Sequence, residues 1–118
     1  MVVFLHVIFD IIKINKILSE YFDCNIYDMF LNGYCLEYYN ILKLFYPDCM
    51  MVIEKNTNHI ACLIDENVYD VAGFCNSDCF FLVNENDLNF IYSFYNKFSD
   101  ELKCDIIKYI KSYEKTIK

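Results

Sequence analysis

The sequence has no Trp and no Arg, only 2 Gly and 1 Pro, and its 10 basic residues are all Lys. Against those bases stand 17 acids, for a net charge of −7. A chain without Arg and with that excess of acids lacks the cationic footprint that phosphate backbones demand. This argues against direct nucleic-acid binding as the main activity. Long apolar runs are missing as well. The most apolar stretch is the opening Met1–Phe9, which meets Asp10 at once. It carries no positive leader and no small-residue cleavage site, and it falls far short of the roughly 20 apolar residues that span a bilayer. The expectation is a cytoplasmic protein with no membrane partner. No internal repeat or low-complexity tract interrupts the chain.

What is present is the material of a core. The chain is 57% hydrophobic and 19% aromatic, which is incompatible with disorder, and 118 residues fit a single domain. Its 7 cysteines are odd in number and irregularly spaced, the usage expected of reduced thiols in a cytosol.

The apolar spacing changes along the chain. Phe4, Leu5, Ile8, Ile11, Ile12 and Leu18 recur at mainly helical intervals, although the β-branched opening is also compatible with a short strand. Residues 23–33 read as an irregular connection ending in the break signal Asn32-Gly33. A helix then starts near residue 34 and stops before Pro47, which lacks the donor a helix needs. Three short apolar runs follow, at 50–54, 59–64 and 68–72, separated by turn residues; they predict an antiparallel meander, with 80–83 as a fourth strand. Helical spacing returns through Leu88, Ile91 and Tyr95. Ser99, followed by Asp100 and Glu101, has the makings of an N-cap for a last helix that aligns Leu102, Ile106, Tyr109, Ile110, Tyr113 and Ile117. The predicted class is α+β, with helices packed on a small antiparallel sheet.

Three residues stand out by position. Cys35 falls in the first turn of a predicted helix, where free N–H groups and the positive dipole end favour a thiolate and supply donors to an oxyanion. His59 opens a predicted strand and Asp70 lies on the next. If Asp65-Glu66 is a two-residue turn, facing residue numbers sum to 131. Asp70 then faces Ala61, one diagonal step from His59 and on the same side of the sheet. A slip of one residue would part them. In the favourable register Cys35 attacks an acyl carbon, His59 moves the proton and Asp70 orients the imidazole.

This order resembles the papain-like superfamily, and most closely its transglutaminase-like branch. The resemblance rests on Asn32-Gly33-Tyr34-Cys35 and on the segment from His59 through Tyr69-Asp70 to Gly73. These look like the Gly-x-Cys helix start and the His-strand, Tyr-Asp-strand, Gly ending of small bacterial and phage members. The resemblance implies a papain-like or transglutaminase-like core and acyl chemistry on a protein or small amide substrate, without a cofactor. It covers about residues 30–75. Two departures stand out: only 24 residues separate Cys35 from His59, and no glutamine upstream of the cysteine completes a papain-type oxyanion hole. Asn32 or Asn58 would take that place, with Tyr34 beside them as a substrate-positioning residue.

Each of these residues also has a structural reading. Cys35 is equally a small buried hydrophobe, His59 a strand-end histidine bonded to a carbonyl, and Asp70 an exposed position on an edge strand. His6, in its apolar run, reads as a core or rim histidine. Cys75 and Cys79 make one short-spaced pair, whereas structural zinc sites usually show two, so no metal site is expected. No Gly-rich phosphate loop, His-Glu-x-x-His or nucleophile-elbow serine is present. A rival from another class stays open: a non-catalytic acidic protein that binds a basic protein partner, such as a phage or mobile-element inhibitor of host defence. It would stand on its own fold or on a degenerate thiol-enzyme fold. Such a binder would show an exposed aromatic patch or an acidic face, with Cys35 buried.

Overall fold

The computed structural model describes residues 2–117, with side chains for 5–113. The described residues form an α+β protein of five α-helices and one five-stranded antiparallel sheet. The chain divides into two compact units, residues 1–26 with 98–118, and residues 27–97.

The first unit contains α1 (Val2–Phe22) and α5 (Asp100–Ile117), which lie against one another. The β-branched opening is helical from Val2 onward. Val7, Ile11, Ile14 and Leu18 are buried at the i, i+4, i+7 spacing of one helix face, while Leu5, Phe9 and Ile12 stay exposed. The side chain of Phe4 lies outside the described residues, as does that of Ile117. Ser99 caps α5 as expected: its hydroxyl accepts from the Leu102 N–H at 3.1 Å. Ile106 and Ile110 are buried one turn apart, and Tyr109 meets Tyr21 edge-on at 5.1 Å. His6 is not a core residue. Its side chain is 71% exposed and sits 3.4 Å from Asp10, one turn along α1.

The second unit carries the sheet. Between residues 23 and 33, where an irregular connection is expected, a short helix α2 (Ile26–Leu31) forms. Six residues are too few for periodicity to announce a helix; Ile26 and Phe30, four apart and both buried, hold it by packing. Asn32-Gly33 then turns the chain, with Gly33 at φ +131°, a conformation open to glycine. Helix α3 (Cys35–Phe45) follows and ends before Pro47.

Strands β1 (Met50–Glu54), β2 (His59–Ile64) and β3 (Asn67–Asp70) form the expected meander. β4 (Gly73–Cys75) extends it on one side. After a 3-10 turn at Ser77–Cys79 the chain crosses back, and β5 (Phe80–Leu82) pairs with β1, giving the order β4-β3-β2-β1-β5. The β2–β3 partners are Cys62 with Tyr69, Leu63 with Val68 and Ile64 with Asn67. Those pairs all sum to 131, the register of a two-residue Asp65-Glu66 turn, and Asp65 takes the required positive φ of 56°. Val52, Ala61 and Val68 form an apolar cluster on the sheet face that His59 and Asp70 share by alternation, and α3 packs on β2.

Helix α4 (Glu85–Phe94) is capped by Asn84, whose side chain accepts from the Asp87 N–H at 3.0 Å. A polar chain ties α4 to α3: Tyr92 donates to Asn40 Oδ1 at 3.2 Å, and Asn40 donates to the buried Glu37 at 2.9 Å. All seven cysteines are free, with Cys35, Cys49 and Cys62 buried. Among the described residues no helix is long and apolar enough to cross a membrane, and no group of three or more His, Cys, Asp or Glu side chains is placed to hold a metal ion.

Candidate functional site

Cys35, His59 and Asp70 meet in one cleft of about 620 Å³. Each arrives there for a local reason. Gly33 lets the chain turn sharply enough to start α3 two residues later, so Cys35 sits where the first N–H groups of the helix have no intrahelical acceptor. His59 is the first residue of β2, directly after the β1–β2 turn. Asp70 is the last residue of β3, placed on the same face by the register described above.

The histidine is tied to the aspartate. His59 Nε2 and Asp70 Oδ2 are 2.8 Å apart, with both side chains nearly out of solvent. The other carboxylate oxygen, Oδ1, accepts from the Ala72 N–H at 2.8 Å, so Asp70 is itself held in place. Cys35 lines the same cleft, close enough to His59 to act on the charge of the imidazole. The Cys35 sulfur also accepts from the Ile60 N–H at 3.4 Å. Phe80 stands edge-on to the imidazole, ring centroids 6.4 Å apart.

The electrostatics follow from this geometry. Burial alone would push the His59 pKa down. Hydrogen bonds to Asp70 and Cys35, and the negative charge of both, outweigh it and raise the value to about 9. Burial works to raise Asp70, but the bonds from His59 and the Ala72 N–H prevail and hold its carboxyl below the ordinary value of 3.8. Cys75, close to Asp70, is pushed up to about 12 by burial and by that neighbouring carboxylate. At neutral pH the site therefore holds an imidazolium clamped against an ionised carboxylate, in the cleft that Cys35 also lines.

Of the predicted accessory residues, Asn32 and Asn58 line the cleft. Tyr34 does not; it is the N-cap residue of α3, and its backbone carbonyl accepts from the Glu37 and Tyr38 N–H groups. Cys35 is only 6% exposed as a residue, so a reactant reaches its sulfur through the cleft or not at all.

Several lining residues were not anticipated. Glu54 and Thr57 enter from the β1–β2 turn, and Phe94, Tyr95 and Asn96 from the end of α4. Tyr95 donates its phenolic hydrogen to the Asn58 carbonyl. Asn96 is the most informative. Its side-chain Nδ2 lies 3.0 Å from where a Cβ on Gly33 would be, so the absent side chain at 33 leaves room for a carboxamide in the cleft that Cys35 lines. The chain contains no glutamine, so any side-chain carboxamide serving an oxyanion here must be an asparagine. Nothing local marks position 96; it follows Cys35 by 61 residues and comes into place only through α4.

The sequence matches the family described as phage YunG-like protein over residues 6–113. The chain belongs to that family. The match takes in every residue of the cleft and ties the protein to phages. No curated protein and no solved structure matches it.

Proposed function

We propose that this phage YunG-like protein is a thiol enzyme on a papain-like or transglutaminase-like core. It would cleave or transfer the acyl group of a protein or small amide through Cys35, His59 and Asp70. The observation that carries this reading is the His59 Nε2–Asp70 Oδ2 bond of 2.8 Å in the same cleft that Cys35 lines. A buried carboxylate bonded to a histidine beside a buried cysteine is the arrangement that acyl chemistry on a thiol requires.

The reaction runs in two halves. The Cys35 sulfur attacks the carbonyl carbon and its proton resides on His59, whose raised pKa suits it to hold one. The carbonyl oxygen, now negative, is stabilised by the Cys35 N–H at the start of α3 and by Asn96 Nδ2. The C–N bond breaks as His59 protonates the departing amine, which leaves a thioester on Cys35. Water, or a second amine, then gives its proton to His59 and attacks the thioester. The C–S bond breaks and the thiol is restored. Asp70 stays ionised throughout and fixes the orientation of the ring.

A second reading, a non-catalytic binding protein, draws on the 6% exposure of Cys35 and on exposed Phe81, Leu82, Phe90 and Phe94. Residue-resolved alkylation with iodoacetamide between pH 5 and 9 separates the two, because the other six cysteines are controls in the same tube. The thiol enzyme requires Cys35 to react faster than exposed Cys24, Cys79 and Cys104, and His59→Ala to abolish that advantage. Equal or slower reaction at Cys35 would leave the binding reading.

A further inference from the structure

The cleft does not end at the catalytic residues. A second cavity of about 380 Å³ adjoins it, and Asn58, Phe94 and Tyr95 line both. Its character differs. Where the first cavity presents Asn32, Glu54, Thr57 and Asp70, the second is walled by Ile53, Phe81, Leu82, Val83, Phe90 and Ile91. Phe81 and Leu82 belong to β5, an edge strand, and Phe90 and Phe94 of α4 stack at 5.5 Å. Phe81, Leu82, Phe90 and Phe94 are between 47% and 66% exposed, an apolar lining that water covers when the groove is empty. Charge is confined to Lys55, whose Nζ lies 4.4 Å above the Phe81 ring, and Asp87.

From this continuity we infer that the groove between β5 and α4 is the acyl subsite of the Cys35 cleft, and that the substrate carries an extended apolar group on its reacting carbonyl. The inference rests on the thiol-enzyme reading above. The apolar chain lies along Phe81, Leu82 and Phe90, passes Phe94 and Tyr95, and presents its carbonyl carbon to Cys35. The polar end of the cleft, with Glu54 and Asn32, receives the leaving group. An aliphatic amide, an acylated amine and a peptide with a large apolar side chain before the scissile bond share this chemistry.

The test is a series of p-nitrophenyl esters, acetate, butyrate, hexanoate and octanoate, with the full chain. In each, the acyl group passes to the Cys35 sulfur as p-nitrophenolate leaves, and water then releases the free acid. In the wild type kcat/KM rises by about fourfold per methylene until the groove is filled, the fold-change equivalent of burying one CH₂. Phe90→Ser flattens that rise, read as the octanoate-to-acetate ratio. Alkylation supplies a readout independent of turnover: N-hexyl-iodoacetamide modifies Cys35 faster than iodoacetamide does, and Phe90→Ser removes the difference. A flat ester series that still depends on Cys35 overturns the acyl subsite and leaves the thiol enzyme standing. Ester rates unaffected by Cys35→Ala overturn both. A flat series in which Phe90→Ser also converts a dimer to a monomer, read by size-exclusion chromatography with light scattering, assigns the groove to a second copy of the chain and overturns the inference.

Discussion

Tyr95 donates its phenolic hydrogen to the backbone carbonyl of Asn58, across 37 residues of sequence. One bond thereby joins the end of α4 to the turn between β1 and β2. Asn58 holds a positive φ of 58°, a conformation asparagine tolerates better than most residues, and His59 follows it directly. The same phenol stands close enough to Cys35 to be affected by its charge; burial raises the Tyr95 pKa and Cys35 adds to the effect. Asn96, next in the chain, is delivered to the cleft by this anchor.

Tyr95→Phe keeps the ring and deletes the donor. The loss of one hydrogen bond lowers stability by about 1 kcal/mol. Urea denaturation should show an earlier midpoint with an unchanged slope, since the folded surface stays the same.

Asp70→Asn tests the electrostatics of the pair directly. Asp70 holds the His59 pKa up by hydrogen bond and charge, so the variant should titrate below the value of about 9 found with the carboxylate in place. An NMR titration of the His59 ring resonances reads this without any substrate. A His59 pKa that does not move in the variant would remove Asp70 from the site.

The same pair makes stability depend on pH in a definite direction. His59 is raised from 6.5 to about 9, so its contribution is complete below 6.5 and is lost as pH rises through 9. Asp70 is lowered from 3.8, so its contribution is complete above 3.8 and is lost as the solution becomes more acidic than that. The stability difference between the wild type and Asp70→Asn should therefore be greatest between about pH 4 and 6.5 and shrink towards pH 9 and above. Denaturant midpoints of both proteins at pH 5, 7 and 9.5 measure it.

Asn96→Ala separates an oxyanion donor from a structural residue. Removal of one such donor typically lowers kcat by about 10²–10³. Turnover of p-nitrophenyl acetate should fall on that scale while the alkylation rate of Cys35 by iodoacetamide does not fall with it, because alkylation develops no oxyanion. Gly33→Ala should act in the same sense, since its Cβ would meet Asn96 Nδ2 at 3.0 Å in a backbone conformation that alanine rarely adopts.

The platform under the site can be tested apart from the chemistry. Leu42 is fully buried on α3, the helix that carries Cys35 at its start. Leu42→Ala should cost about 2–5 kcal/mol, through lost burial and the cavity left behind. Thermal unfolding followed by circular dichroism checks it.

Much of the sheet and one half of the candidate site could be read in the chain itself. The two-residue turn at Asp65-Glu66 dictates which residues of β2 and β3 face each other, and that register puts His59 and Asp70 on one face. Gly33 and Pro47 bracket α3, and Ser99 starts α5, each through backbone chemistry that acts within a turn of the residue concerned. Signals of that range are legible because the physics behind them is local. The helix at Ile26–Leu31 lies beyond their reach, since six residues held by burial of Ile26 and Phe30 carry no period of their own. The return of β5 to the far edge of the sheet, beside β1, is likewise a matter of tertiary pairing. So is the delivery of Phe94, Tyr95 and Asn96 to a thiol some 60 residues earlier. Sequence determined the main strands, the turns and the place of Cys35 at a helix start. The cleft, with Asn96 in its wall, and the groove beside it exist only because packing draws distant segments together, and the cost of closing those loops is met by burial that no single segment supplies.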